Sequence, residues 1–265
     1  MIRINDIFKS CGTNEVLKGI SLDVRKGEVI ALVGGSGTGK SVLIKIVAGL
    51  IRPDRGRVIL DGEDLHASKG KGITHLRKKL GFLFQAGALF DSMTLLENVT
   101  FPLTEKTKLG AKRIRVLAME ELENVGLSGA ESKYPSQLSG GMIKRAALAR
   151  ALVTEPQIML FDEPTSGLDP VNGLSILELI DSCHKRLRFS GIIVTHETRR
   201  IFDIVDRVAL LHDGRIHAMG TPREMTGSKD SIVKTFIDAA VQSPRSGAGG
   251  DPEPGDRKGP KDRRD

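Results

Sequence analysis

Cysteine is nearly missing. Cys11 and Cys183 are the two thiols in 265 residues, far apart and without Cys-x-x-Cys or Cys/His ligand spacing. That excludes a disulfide framework and offers no zinc site; the neighbouring Cys183 and His184 read as ordinary helix, and a reducing, cytoplasmic setting is expected. No window approaches the about eighteen uninterrupted apolar residues of a membrane span. The opening segment carries Arg3 and Asp6 where an export signal needs an apolar stretch, so neither a span nor an N-terminal signal is expected. Repeats of solenoid period are absent, and the 30 glycines and 11 prolines follow no collagen-like order. What is present is a globular composition, 39% hydrophobic and 28% charged, in a chain long enough to bury roughly three quarters of its unfolded surface. The 40 Lys and Arg outnumber the 33 Asp and Glu, a net charge of +7. Nucleic acid, an anionic membrane surface and a phosphate ligand are all compatible with that excess.

Alternation of apolar and polar residues predicts short antiparallel strands over the first residues (Ile2, Ile4, Ile7) and over 16–24. Glu28 to Val33 reads as a strand, followed by a glycine cluster and a helix from Lys40 to Leu50. Residues 57–62 look like an edge strand ending in an Asp-Gly turn. Helices are predicted over 112–127 and 142–153. Two short β-rich runs, 157–161 and 191–195, suit strands buried on both faces of a parallel sheet; with a helix over 174–186 between them they form a βαβ unit. A hairpin turning at His212-Asp213-Gly214 and a helix over 231–241 close the pattern. From Ser243 to Asp265 only Ala248 is apolar among five Gly, four Pro and eleven charged residues. Such a stretch cannot bury enough surface to fold and is expected to be a disordered tail.

Gly34-Gly35-Ser36-Gly37-Thr38-Gly39-Lys40-Ser41 satisfies the P-loop pattern between a predicted strand and a predicted helix. Glycines there let backbone N–H groups turn inward around phosphate oxygens at a helix N-terminus. Lys40 adds a cation for the β and γ phosphates, and Ser41 a hydroxyl for Mg²⁺. The second carboxylate such a site needs comes at the carboxyl end of a buried strand, in Asp162-Glu163. Asp162 is the metal-side candidate. Glu163 should face another way, as successive strand residues do, and is the candidate general base. A nucleoside triphosphate site follows.

With these motifs in hand, Leu138-Ser139-Gly140-Gly141-Met142 carries the sequence further: it resembles the signature loop of the ATP-binding subunits of ABC transporters. The resemblance covers nearly all of residues 1–242. It implies an α/β fold: an ABC-type P-loop ATPase with a RecA-like core, an antiparallel β subdomain and an α-helical subdomain inserted at about 86–154. It implies ATP and Mg²⁺ as ligands. It implies a homodimer in which Ser139, Gly140 and Gly141 of one copy complete the γ-phosphate site on the Lys40 side of the other. Gln85 matches the family's Q-loop glutamine, which touches Mg²⁺ or the attacking water; Ser166 to Asp169 match the D-loop that crosses the dimer interface. His196 matches the switch histidine that contacts the γ-phosphate. Phe8 is the candidate for the adenine-stacking ring, with Val16 as an alternative apolar contact.

Met142, where many members have glutamine, and the segments Phe84 to Phe90 and Leu96 to Leu103 are similar to the ATPases of Mla/Mce-type phospholipid transport. This narrower likeness implies a separate membrane permease, an Mce-type substrate-binding partner and a small cytoplasmic accessory subunit. It places the chain peripherally on the cytoplasmic face of the inner membrane and gives nucleic acid no part. An ATPase for import of a small solute shares every catalytic motif; a soluble ABC protein acting on DNA or ribosomes usually brings a second cassette or long inserts, which this sequence lacks. Of the apolar residues Leu89 to Leu103, part is expected to close a helical core and part to line a groove for the permease. Residues 69–115 hold ten Lys and Arg against three acids, Asp91, Glu97 and Glu105, which equals the whole net excess. In the family this region lies near the membrane surface, where each basic side chain contributes about 1 kcal/mol toward anionic lipid.

Overall fold

The computed structural model describes residues 1–68, 70–196 and 200–242, so the expected tail over 243–265 lies outside the described residues. In chain order the elements are β1 (Ile2–Cys11), β2 (Asn14–Val24), β3 (Val29–Val33), α1 (Lys40–Val47), β4 (Arg55–Leu60), β5 (Glu63–Asp64), α2 (Lys71–Lys78) and β6 (Leu80–Leu83). There follow α3 (Leu95–Lys106), α4 (Ala111–Asn124), α5 (Gly140–Leu152), β7 (Ile158–Asp162), α6 (Pro170–Leu187), β8 (Ser190–Val194), β9 (Arg207–His212), β10 (Arg215–Gly220), α7 (Pro222–Thr226) and α8 (Ser231–Gln242).

Two sheets result. One is antiparallel, in the order β2-β1-β4-β5; the other runs β10-β9-β3-β8-β7-β6. Its five strands from β9 to β6 are mutually parallel and β10 is added antiparallel. β3, β7 and β8 are buried at every residue, as strands covered on both faces must be. Residues 57–62, expected as an edge, instead form an inner strand. Asp61 and Gly62, with φ of 50° and 87°, make a tight turn that adds β5 outside β4. Gly56 is needed where β4 crosses β1: a Cβ there would lie 2.3 Å from the Asp6 carbonyl oxygen.

Helix starts missed by apolar spacing are set by caps. α5 begins at Gly140 because the Ser139 side chain accepts from Met142 N. α6 begins at Pro170, whose fixed φ suits a first helical turn, because the Asp169 side chain accepts from Val171 N and Asn172 N.

One core lies between the antiparallel sheet, α1 and one face of the large sheet, with Ile4, Leu22, Ile44 and Leu160 among its members. A second fills the opposite face, where Phe161, Ile176, Ile180 and Phe189 meet. A third is helical: Leu95, Val99 and Leu103 of α3, Ile114, Ala118 and Leu122 of α4, and Ala146 and Ala149 of α5. α5 belongs to both the second and the third, because Ala147, Leu148 and Leu152 face the sheet. Leu95, Val99 and Leu103 are thus inside, while Phe90 and Phe101 stay exposed as an edge-on ring pair with centroids 5.0 Å apart. α4 is also fastened to α6, by Arg186 donating to the buried Glu121 at 2.7 Å. Arg145 of α5 adds bonds to Val125 O and Ser175 Oγ.

A forked ion pair joins the start of β9 to the turn before β3. Arg207 donates from Nε to Glu28 Oε1 and from an outer nitrogen to Glu28 Oε2 at 2.9 Å. Burial by itself raises the Glu28 carboxyl; the Arg207 hydrogen bond, the Arg25 backbone N–H and the two guanidinium charges together outweigh it, holding the group below its ordinary range. A depressed carboxyl contributes stability above its unfolded value, and that contribution is lost as pH falls through the folded one. Arg207→Ala should therefore lower unfolding free energy by about 3 kcal/mol at neutral pH. The gap to the parent should narrow in urea melts as pH falls below the ordinary carboxylate range and through the depressed folded range of Glu28.

Candidate functional site

β3 delivers the chain into the phosphate-loop segment, and α1 takes it away. Gly34 sits where no other residue fits: its φ is 153°, and a Cβ would stand 2.3 Å from the Leu211 carbonyl oxygen of β9. The Lys40 ammonium is buried and folds back over the loop, donating to the carbonyls of Gly34 at 2.9 Å and Gly35 at 2.8 Å. Burial pushes it below the usual lysine range, against the pull of Glu163 and Asp162. Thr38 Oγ1 donates to Gly35 O, closing the loop on itself.

At the carboxyl ends of the parallel strands a second group of side chains converges. Ser41 Oγ donates to Asp162 Oδ1 at 2.8 Å. These are hard oxygen donors beside a phosphate loop, the chemistry that suits Mg²⁺. Glu163 follows Asp162; strand alternation, which the sequence suggested, does not set its direction. Its N–H extends the β7 ladder to Val194 O, but its φ of 50° turns the chain into the left-handed region, a conformation that costs an L-residue about 1–2 kcal/mol. The carboxylate ends 2.8 Å from His196 Nδ1. Its side chain is 11% exposed and that of His196 66%. Gln85, in the loop after β6, donates from Nε2 to Ser166 Oγ at 3.2 Å.

One cavity of about 630 Å³ joins these groups: Ser36, Gly37, Gly39, Lys40, Ser41, Gln85, Glu163 and His196 all line it, with Val16 and Val42. Phe8 does not. Its ring is stacked under the Arg55 guanidinium, 4.0 Å from carbon to centroid, and it packs beside Gly19. Val16, the alternative apolar contact, does line the cavity. Such a site can bind phosphate through amides and a lysine, hold a divalent ion between Ser41 and Asp162, and place a carboxylate near a water.

Ser139, Gly140, Gly141 and Asp169 lie outside this lining. They gather instead around the N-termini of α5 and α6, where a Cβ on Gly140 would touch Leu168 and one on Gly141 would touch Asn172. Asp169 is the cap of α6, and its hydrogen bonds from the Asn172 side chain and from backbone N–H groups hold its carboxyl below the usual range. One buried residue escaped sequence analysis. Lys144 of α5 sends its ammonium to Gln85 O and, at 3.5 Å, to Glu163 O. A lysine on an otherwise apolar helix face was the available signal.

The family described as "ABC transporter" matches residues 17–166. The chain is 42% identical over 236 residues to "Probable ribonucleotide transport ATP-binding protein mkl" of Mycobacterium leprae (strain TN), covering 89% of this chain and 68% of that one. It is 36% identical over 244 residues to "Intermembrane phospholipid transport system ATP-binding protein MlaF" of Escherichia coli (strain K12), covering 92% and 91%. Among solved structures it superposes with a TM-score of 0.77 and 31% identity, covering 84% of this chain and 99% of the other, on the "Dimeric structure of a post-hydrolysis state of the ATP-binding cassette MJ0796 bound to ADP and Pi".

Proposed function

The chain belongs to the ABC transporter family as one of its ATP-hydrolysing subunits, and from that premise we propose that it powers phospholipid transport by a separate membrane permease working with an Mce-type partner. Support for the lipid comes from the MlaF likeness, which runs through nine tenths of both chains. Support for the chemistry comes from one observation: a single cavity gathers Lys40, Ser41, Gln85, Glu163 and His196.

In this proposal the loop amides of Gly34 to Gly39 and the Lys40 ammonium bind the β and γ phosphates of ATP. Ser41, Asp162 and Gln85 would hold Mg²⁺, which when bound would supply neutralisation of the phosphate charge. Glu163 takes a proton from water as the new oxygen–phosphorus bond forms. The bond from the γ phosphorus to the bridging oxygen breaks, leaving its electron pair on ADP. His196, hydrogen-bonded to Glu163, fixes the orientation of that carboxylate and faces the γ phosphate. Val16 supplies an apolar surface for adenine.

The second half of each site comes from a partner copy, through Ser139, Gly140 and Gly141 at the head of α5 and the Asp169 segment. Residues 1–242 form the ATPase unit and 86–154 its inserted helical part, whose exposed Phe90 and Phe101 face the permease. The chain works on the cytoplasmic face of the inner membrane, with a small accessory subunit and no nucleic acid. Among the described residues no helix is long and apolar enough to cross a membrane, so translocation falls to the permease.

The mkl likeness favours a second reading, an ATPase for uptake of a small polar solute. Co-purification of the chain with its membrane partner, followed by identification of what the complex carries, separates the two. Phospholipid in the purified complex, and ATP turnover that responds to phospholipid and not to ribonucleotides, is the expected result. The reverse response would replace the lipid with a solute.

A further inference from the structure

Lys144 sits on the second turn of α5, 5% exposed, among residues that pack against the sheet. An ammonium removed from water costs several kcal/mol unless its donors are satisfied. A methionine or leucine at the same place would fill the space without that cost. The ammonium donates to main-chain oxygens of two other segments: Gln85 O in the loop after β6, and Glu163 O at 3.5 Å just past β7. Three segments of the site thus meet at one ammonium: the helix headed by Ser139, the loop that presents the Gln85 amide, and the left-handed turn that aims the Glu163 carboxylate. Because the bonds are to backbone, they constrain where those segments lie while leaving both side chains free to line the cavity. Burial pushes Lys144 below the usual lysine range, against the pull of Glu163 and Asp162.

We propose that Lys144 is a positioning residue for hydrolysis, registering the Glu163 turn against the Gln85 loop and the head of α5 so that the carboxylate reaches the water. The inference rests on the reading of Glu163 as the base. It touches neither the phosphate loop nor the adenine side of the cavity, so ATP affinity should be independent of it.

The test uses the full chain. Lys144→Met should lower kcat by about tenfold to a hundredfold while KM and the dissociation constant for ATP stay within about twofold. Lys144→Arg, which keeps a buried cation able to donate to both carbonyls, should recover most of the rate. On a Glu163→Gln background Lys144→Met should add little further loss, because a residue acting through Glu163 has nothing left to position. If Lys144→Met is not obtained folded, Lys144→Gln provides the same comparison with a shorter neutral donor. Full kcat in Lys144→Met, a matching loss of ATP affinity, or a fully additive double variant each overturns the proposal. Failure of the underlying reading has a different signature: Glu163→Gln alone would keep its rate.

Discussion

Replacing Glu163 with glutamine lowers steady-state ATP hydrolysis by about 10²- to 10⁴-fold, the range over which a positioned general base contributes, while ATP still binds. Glutamine keeps the size of the side chain and can still hydrogen-bond to His196 Nδ1, which stands 2.8 Å from the carboxylate. It cannot accept a proton at neutral pH. In the proposed mechanism phosphate binding rests on other residues, the loop and Lys40, whose ammonium reaches Gly34 and Gly35 rather than Glu163. Affinity and turnover should therefore separate. Single-turnover hydrolysis and equilibrium ATP binding, measured on the same preparation, check this directly; a variant that hydrolyses at the parental rate removes Glu163 from the mechanism and leaves some other group to activate the water.

Mixing two inactive variants should restore activity that neither has. In the proposed composite site, Lys40→Ala removes the phosphate cation on one side, and Ser139→Arg blocks the other with a bulky side chain at the N-cap of α5. Each homodimer then carries two damaged sites. In a mixed dimer one site combines both defects and the other combines the intact Lys40 of one copy with the intact Ser139 of its partner. With random exchange, half of the dimers are mixed, so about a quarter of the parental number of sites is rebuilt. Either variant alone should lose at least about a hundredfold in rate, leaving a low background for the recovery. The cavity lined by Lys40 contains none of Ser139, Gly140 or Gly141, which is the geometric reason to expect complementation between chains. No recovery after confirmed subunit exchange would mean that each chain builds its site alone.

Much of this was legible in sequence for reasons that can be traced to particular residues. The runs 157–161 and 191–195 announced buried parallel strands because no polar residue interrupts them, and they became β7 and β8 one residue out of step. The phosphate loop was legible because glycine spacing and a following Lys-Ser have few other uses. What escaped depended on hydrogen bonds rather than periodicity. α5 and α6 start two and four residues earlier than apolar spacing suggests, at caps made by Ser139 and Asp169. α3 was hidden by Pro102 in its interior and is secured at its start by Thr94 and Glu97, each bonding the other's backbone. The direction of the Phe8 ring was not legible, because ring identity says nothing of it: the ring lies under the Arg55 guanidinium on a strand with irregular register. Lys144 showed in sequence only as a cation on an apolar helix face, because its partners are carbonyls brought from segments 59 and 19 residues away.

The left-handed backbone at Glu163 has a consequence for how the protein would change under different pressures. At a φ of 50°, glycine would be relieved of the steric cost that glutamate bears, and asparagine would bear less of it. Selection for heat resistance alone would thus move position 163 toward residues that cannot activate water. In the proposed mechanism that steric cost is what aiming the carboxylate at water requires of the backbone.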